Sequence, residues 1–171
     1  ELILIDIVAS LYNRKLDYNL IQKVSEKIFI PLTVGGGIKK LDDISKLLSI
    51  GADKVSINTH ALQIDSSIIN RAAKKFGSQC IVSNLEIKKI KNEWYCLTDN
   101  GRINSGKKVI DWIDELTSRG VGEIMLQSVD YDGSLKGFDH QLFLNIKNNV
   151  KTKVPIIFCS GAGNAKHLKE L

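Results

Sequence analysis

The sequence has few of the residues that disulfide scaffolds, metal sites and membrane spans require. Three cysteines and three histidines occur among 171 residues, without CxxC or metal-ligand spacing. No apolar run approaches the ~20 residues of a membrane-spanning helix. The net charge of +5 comes without aromatic-interleaved basic patches. We therefore expect reduced thiols in a cytoplasmic protein, with no metal, no cofactor, no membrane and no nucleic acid partner.

Linker-type sequence is also scarce. The chain has only two prolines, and no Ser/Gly-rich stretch or block of like charges divides it. Its apolar and charged contents, 43% and 25%, are those of an ordinary globular domain. We therefore predict one domain over residues 1–171.

Short apolar runs typical of buried strands alternate with amphipathic helical patterns along the chain. A hairpin is also indicated, because an alternating run from Trp94 to Thr98 precedes the turn sequence Asp-Asn-Gly. The predicted strands are 2–8, 29–34, 54–58, 79–87, 123–129 and 154–160. The predicted helices are 18–28, 41–51, 64–77, 107–120 and 139–150. Such alternation predicts βαβ units and a parallel sheet.

Two glycine-rich segments follow a proline and a short apolar run in the same way. "TVGGGI" begins at Thr33, and "IFCSGAG" lies about 124 positions further on. Four predicted strand–helix units separate Glu1 from the matching Glu123. Doubling such a half gives a (β/α)₈ TIM barrel of roughly 250 residues. We therefore predict an α/β fold, a fragment of such a barrel covering about strands two to seven and incomplete at both ends. Two βα loops that merely share glycine are the alternative.

The carboxyl ends of the predicted strands hold the candidate binding residues, since active sites of such barrels lie there. Glycines in these loops let backbone N–H groups approach an anion. Two glycine-rich loops in equivalent places predict a ligand with a phosphate at each end. The residues at these strand ends include Gly37, Asn58, Thr59, Asp130, Asp132, Gly133 and Gly161.

Glu86 ends the predicted strand between the two glycine loops. Apolar Leu85 and Ile87 flank it, so its carboxylate could act as a general acid or base with a pKa raised by partial burial. A rim glutamate paired with Lys88 or Lys89 is the other interpretation. Position along the chain does not decide between them.

Charged residues open alternate predicted strands at the opposite end. Glu1, Lys54 and Glu123 begin three strands that contribute to one layer of side chains. They could form a charged ring that closes the barrel, in which opposite charges offset one another's desolvation. Three separate, solvated strand starts remain equally compatible with the spacing.

Taken together, these residues resemble the cyclase subunit of imidazole glycerol phosphate synthase, a (β/α)₈ enzyme of histidine biosynthesis. The motifs that carry the resemblance are "VGGGI" (34–38), "GADKVSINT" (51–59), "FGSQCIV" (76–82), "SVDYDGSLKGFD" (128–139) and "GAGN" (161–164). The resemblance implies a glutaminase partner that releases ammonia at the bottom of the barrel. It also implies a bisphosphorylated ribulosyl aminoimidazole carboxamide nucleotide as substrate at the top.

The resemblance assigns roles by position. It implies that Glu86 is catalytic, that the charged ring is the ammonia gate, and that Asp53 and Gln79 face the partner. It implies one phosphate held by Gly37, Asn58 and Thr59, and the other held by Asp132, Gly133 and Gly161.

Several positions depart from the family pattern. The family has aspartate where Glu86 stands, threonine at Gln127, arginine at Tyr131 and small residues at 158–160. A paralogue of surface-polysaccharide amidino-sugar synthesis, using the same ammonia delivery, is therefore an alternative. A non-catalytic, partner-binding barrel is another, and the isomerase that precedes the cyclase in the pathway fits the motifs less well.

Overall fold

The computed structural model describes residues 1–9, 12, 14 and 16–170. Its strands are β1 (Leu2–Ile5), β2 (Leu32–Gly35), β3 (Lys54–Ile57), β4 (Ile81–Ile90), β5 (Glu93–Thr98), β6 (Ile103–Lys108), β7 (Glu123–Ser128) and β8 (Ile156–Cys159). Its helices are α1 (Tyr18–Ser25), α2 (Leu41–Ser49), α3 (Thr59–Gln63), α4 (Ser67–Phe76), α5 (Val109–Ser118) and α6 (His140–Asn149). Single 3₁₀ turns lie at Ser78–Cys80, Val129–Tyr131 and His167–Lys169.

Six of the strands form one parallel sheet in the order β1-β2-β3-β4-β7-β8. The hairpin of β5 and β6 is the exception, because β5 pairs antiparallel with the second half of β4. Among the described residues the sheet is open, with β1 and β8 at its two edges. The predicted α/β fold of the (β/α)₈-barrel type is confirmed.

The two faces of the sheet differ in chemistry. Alternate strand residues, such as Val55, Ile81 and Leu126, are buried against the helices in the hydrophobic core. The intervening residues of the same strands include Ser56 and Glu86, which are buried and polar. Because successive side chains of a strand point to opposite faces, the polar set lies together on the inner face.

The internal repeat also appears in the helix starts. Asp17 caps α1 by accepting a hydrogen bond from the N–H of Leu20 at 3.0 Å. Asp139 caps α6 in the same way, accepting from the N–H of Leu142 at 3.0 Å. Both caps satisfy an N–H group that the first turn of a helix leaves unpaired.

Some predicted boundaries were wrong. Strand β1 ends at Ile5, because the Asp6 carboxylate turns the chain by accepting from the N–H of Val8 at 3.2 Å. Helix α3 was not predicted, and it begins directly after β3. Strand β4 is longer than predicted because its end pairs with the hairpin.

Cys80, Cys96 and Cys159 are free thiols. None of the helices in the described part of the chain is long and apolar enough to cross a membrane.

Candidate active site

A cavity of about 410 Å³ opens at the carboxyl ends of β2, β3 and β4. Four of the predicted site residues line it together: Gly37, Asn58, Thr59 and Glu86. Gln127, at the end of the neighbouring β7, lines it as well. The structure thus joins the candidate acid or base to one of the two predicted phosphate sites.

Glu86 is buried within this cavity, with 8% of its surface exposed. Its Oε2 accepts a hydrogen bond from the backbone N–H of Gly101 at 3.0 Å, and the Asn58 side chain is a second hydrogen-bond partner. Burial raises the pKa of Glu86 above its ordinary value, the two hydrogen bonds oppose that rise, and the charge of Asp99 adds to it. The carboxyl group therefore binds a proton more readily than a solvated glutamate does.

The two lysines that could have paired with Glu86 make other contacts. Lys88 lies 3.8 Å from the Asp130 carboxylate. Lys89 donates to the side-chain oxygen of Gln141 at 2.7 Å. The interpretation of Glu86 as a lysine-paired rim residue is therefore wrong.

The turn between β5 and β6 covers one side of the cavity. Glu86 pairs with Leu97, so the turn lies level with the carboxylate. The N–H of Asp99 donates to Oγ1 of Thr59 at 3.3 Å, and the side chains of Gln63 and Thr98 are hydrogen-bonded. Sequence reasoning predicted this hairpin but missed its place in the site, because pairing register is a long-range property.

The first glycine loop depends on glycine at two positions. Gly36 and Gly37 have φ values of 112° and 62°, which side chains rarely adopt. A Cβ at Gly36 would lie 2.4 Å from the Asp6 carbonyl oxygen, and one at Gly37 would lie 3.0 Å from the Ala9 Cβ. The loop therefore packs against the turn after β1 in a form that only glycine permits.

The second predicted phosphate site lies at the same end of the sheet but outside this cavity. The Gly161 carbonyl accepts from the N–H of Gly137 at 2.8 Å, so the loop after β8 rests on the loop after β7. That second loop carries Asp132 and Gly133. Burial raises the pKa of Cys159, on β8, to about 12, and the Asp132 charge adds to the rise.

The charged residues at the opposite end of the sheet contact one another. Lys54 Nζ lies 2.8 Å from Glu123 Oε2 and 3.3 Å from the Glu1 carboxylate. Thr33 Oγ1 donates to Glu1 at 2.6 Å. The interpretation as separate, solvated strand starts is therefore wrong, and these residues form one hydrogen-bonded group.

The surroundings of Glu1 and Lys54 favour the charged form of each side chain. Partial burial would raise the pKa of Glu1, but hydrogen bonds from Thr33 and Lys54 and the Lys54 charge lower it. Partial burial would likewise lower the pKa of Lys54, but hydrogen bonds and charge from Glu123 and Glu1 raise it. All these effects on Glu1 and Lys54 sum in favour of the ionised forms.

Asp53 and Gln79 lie at this same end. The Asp53 carboxylate accepts from the N–H of Leu32 at 2.8 Å, which links the start of β3 to β2. Gln79 is exposed in the 3₁₀ turn before β4. Both residues therefore lie at the end of the sheet that carries the ring, and Asp53 also has a structural role.

Comparison with known proteins identifies the family of this chain. The sequence model of a family described as "Histidine biosynthesis protein" matches residues 1–171. The chain belongs to this family. The resemblance drawn from the motifs is thus confirmed at the level of the family.

Relatives include proteins named imidazole glycerol phosphate synthase subunit HisF. The protein from Campylobacter concisus is 45% identical over 170 residues, covering 99% of this chain and 66% of its own. The proteins from Staphylococcus carnosus and Dictyoglomus thermophilum are 42% and 44% identical over 173 and 172 residues, covering 100% and 98% of this chain and 67% and 66% of their own. The chain spans about two thirds of the length of these relatives.

The departures from the family pattern fall in different places. Glu86 and Gln127 line the cavity. Phe158 instead packs its ring edge-on against Phe143 of α6, with centroids 5.3 Å apart, on the helix-facing side of β8. Phe158 therefore packs against α6 and does not line the cavity.

Sequence reasoning missed several polar residues of the cavity, among them His60 and Asn84. His60 lies on the unpredicted helix α3. Asn84 lies two residues before Glu86 on the same strand, and strand alternation alone places both on one face. That alternation was the signal that could have found it.

Proposed function

We propose that this chain is the cyclase, or lyase, subunit of imidazole glycerol phosphate synthase, acting in histidine biosynthesis. In this proposal ammonia from a separate glutaminase reacts with the bisphosphorylated ribulosyl aminoimidazole carboxamide nucleotide. The products are imidazole glycerol phosphate and an aminoimidazole carboxamide ribonucleotide. The observation that carries the proposal is the buried Glu86 carboxylate in one cavity with Gly37, Asn58 and Thr59. The direct test is product formation by the whole protein from this nucleotide and an ammonium salt.

Glu86 is the proposed general acid or base. A group that moves a proton in the transition state works best when its pKa lies near the working pH. Burial raises the pKa of Glu86 in that direction. The N–H of Gly101 and the Asn58 side chain orient its carboxylate, so the proton is held at a defined place in the cavity.

The proposed substrate has a phosphate at each end. Gly37, Asn58 and Thr59 would bind one phosphate beside Glu86. Asp132, Gly133 and Gly161 would mark the site of the other. Support for the second site comes from the contact between the loops after β7 and β8, which lie at the same end of the sheet as the cavity.

A binding comparison tests the two-ended ligand. We expect the whole protein to bind a bisphosphate analogue at least about tenfold more tightly than the matched monophosphate, since one lost charge-assisted contact costs about 1.5 kcal/mol. Isothermal titration calorimetry at one fixed salt concentration measures both affinities. A Gly37→Val variant should lower both and serves as the control for the cavity site. Equal affinity of wild type for the two analogues would contradict the second phosphate site.

The ring of Glu1, Lys54 and Glu123 is the proposed ammonia gate. Glu123 pairs with Val82 and Gln127 pairs with Glu86, so the ring and the cavity lie at opposite ends of the same inner face. Ammonia entering at the ring would reach Glu86 through the barrel. The glutaminase would then dock at this end of the sheet, which also carries Asp53 and Gln79.

A second candidate function is a paralogous, ammonia-using enzyme of amidino-sugar synthesis. It is favoured by Glu86 and Gln127, which line the cavity where the family pattern has aspartate and threonine. One extra methylene moves a carboxylate by about 1 Å, and such a displacement can change a rate about 100-fold. The cavity would then be fitted to another sugar.

The variant Glu86→Asp separates these candidates. If the chain acts on the imidazole precursor, aspartate should maintain or raise turnover of that nucleotide. If the cavity is fitted to another substrate, the shorter side chain should lower turnover of that substrate, by up to about 100-fold. Steady-state kinetics on both substrates, with Glu93→Asp on the hairpin as the control, gives the answer.

A further inference from the structure

Asn84 is a buried amide that lacks a hydrogen-bond partner for its oxygen. Its exposed fraction is 7%, it lines the cavity, and Oδ1 has no partner within the described residues. Asn58 Oδ1 and His60 Nδ1, in the same cavity, are also without partners. Buried polar atoms in folded proteins are nearly always hydrogen-bonded, so the two amide oxygens indicate a ligand that supplies donors, whereas the His60 nitrogen donates or accepts according to its tautomer.

Asn84 lies between the charged ring and Glu86 along β4. On β4, Val82 pairs with Glu123 of the ring, and Glu86 lies four residues beyond Val82. Asn84 is midway on the same face, about 6.6 Å along the strand from each, at ~3.3 Å per residue. A small molecule that moves from the ring to Glu86 along this wall passes the amide.

We infer that Asn84 binds ammonia below the carboxylate, an inference that rests on the proposed function. Ammonia has three N–H donors and no charge, and an amide oxygen accepts from it without changing its protonation. A carboxylate at this place would favour ammonium, which lacks the lone pair needed for attack. An apolar side chain would offer no acceptor. Rotation of the amide about χ2 exchanges its oxygen and nitrogen, so the acceptor can face the cavity.

The test uses the whole protein with ammonium salt as the nitrogen source. The variant Asn84→Leu has a similar shape and removes the acceptor. We expect KM for ammonia to rise about 2- to 10-fold, the range of one net hydrogen bond. KM for the nucleotide, and turnover at saturating ammonium, should stay near the wild-type values. If the leucine variant does not fold, Asn84→Ser is measured instead, with a smaller rise in the same constant.

Asn145→Leu is the matched control. Asn145 on α6 has an amide oxygen that is also buried without a partner, but it does not line the cavity. Its replacement should leave both KM values unchanged. If neither constant changes in the Asn84 variant, the inference is wrong.

The remaining outcomes also decide between explanations. A rise in KM for the nucleotide alone would assign the Asn84 amide to the larger substrate and overturn the ammonia site. A wild-type protein that consumes no ammonia contradicts the proposed function and this inference with it. An active wild type with unchanged variant constants contradicts only the inference.

Discussion

Replacement of Glu86 by glutamine should lower turnover about 100- to 10,000-fold, the usual contribution of a positioned acid or base. Substrate affinity should change little, because glutamine has nearly the same shape and its side-chain oxygen can still accept from the N–H of Gly101. A loss confined to turnover is the pattern expected when an interaction of the transition state is removed. Steady-state kinetics and a separate binding measurement distinguish the two quantities.

The pH dependence gives an independent check on Glu86. If its ionised form is the base, activity should fall as pH drops through the raised pKa, which lies above 4.5, and Glu86→Gln should lack this dependence.

The raised pKa of Glu86 also means that the folded state favours the protonated carboxyl group. Stability from this group is therefore present at low pH and is lost as pH rises through the raised pKa, a loss that Glu86→Gln should not show.

Glu93→Gln is the matched control, because Glu93 lies on β5 of the adjacent hairpin and pairs with Lys108 outside the cavity. It should retain wild-type turnover. Unchanged turnover in both Glu86→Gln and Glu86→Asp would show that Glu86 is not catalytic.

Replacement of Lys54 by alanine should uncouple glutamine hydrolysis from product formation in the complex with a glutaminase. Lys54 joins Glu1 and Glu123, and its loss leaves two carboxylates facing each other without the cation between them. If the ring is the gate, as proposed, it would then no longer direct ammonia into the barrel. Glutamine consumed should exceed product formed, whereas activity with added ammonium salt should remain near the wild-type level. Paired assays of glutamate release and product formation measure the ratio.

Lys108→Ala is the control for this prediction, because Lys108 pairs with Glu93 on the hairpin, away from the ring. It should leave the ratio of glutamate to product unchanged. A Lys54→Ala variant that lost ammonium-dependent and glutamine-dependent activity equally would indicate a purely structural lysine and contradict the gate.

The predictions from sequence succeeded where the signal was local. Short apolar runs and helical periodicity depend on neighbouring residues, and they located each parallel strand of the described residues to within a few positions. Local patterns could not predict the contact between Lys54 and Glu123, because it depends on which strand starts are level across the sheet. Spacing alone had left that contact undecided.

For Glu86 too, some features could be predicted from the sequence and others depended on the tertiary structure. Its place at a strand end between two glycine loops could be deduced from the sequence. Its hydrogen bond from Gly101 could not, because the pairing of Glu86 with Leu97 decides where the hairpin turn lies. Lys88 and Lys89 follow Glu86 in the chain, yet their contacts with Asp130 and Gln141 are made with distant segments.

The sequence by itself determined the order of the strands and of every described helix except α3, the glycine loops, and which residues of a strand share one side. These follow from backbone conformation and from the two-residue period of a strand, which are local properties. Only the tertiary structure decided that Gly37, Asn58, Thr59 and Glu86 share one cavity while Gly161 lies outside it. The reason is that a cavity is enclosed by segments far apart in the chain, and their approach depends on sheet register and loop packing rather than on any one segment's composition.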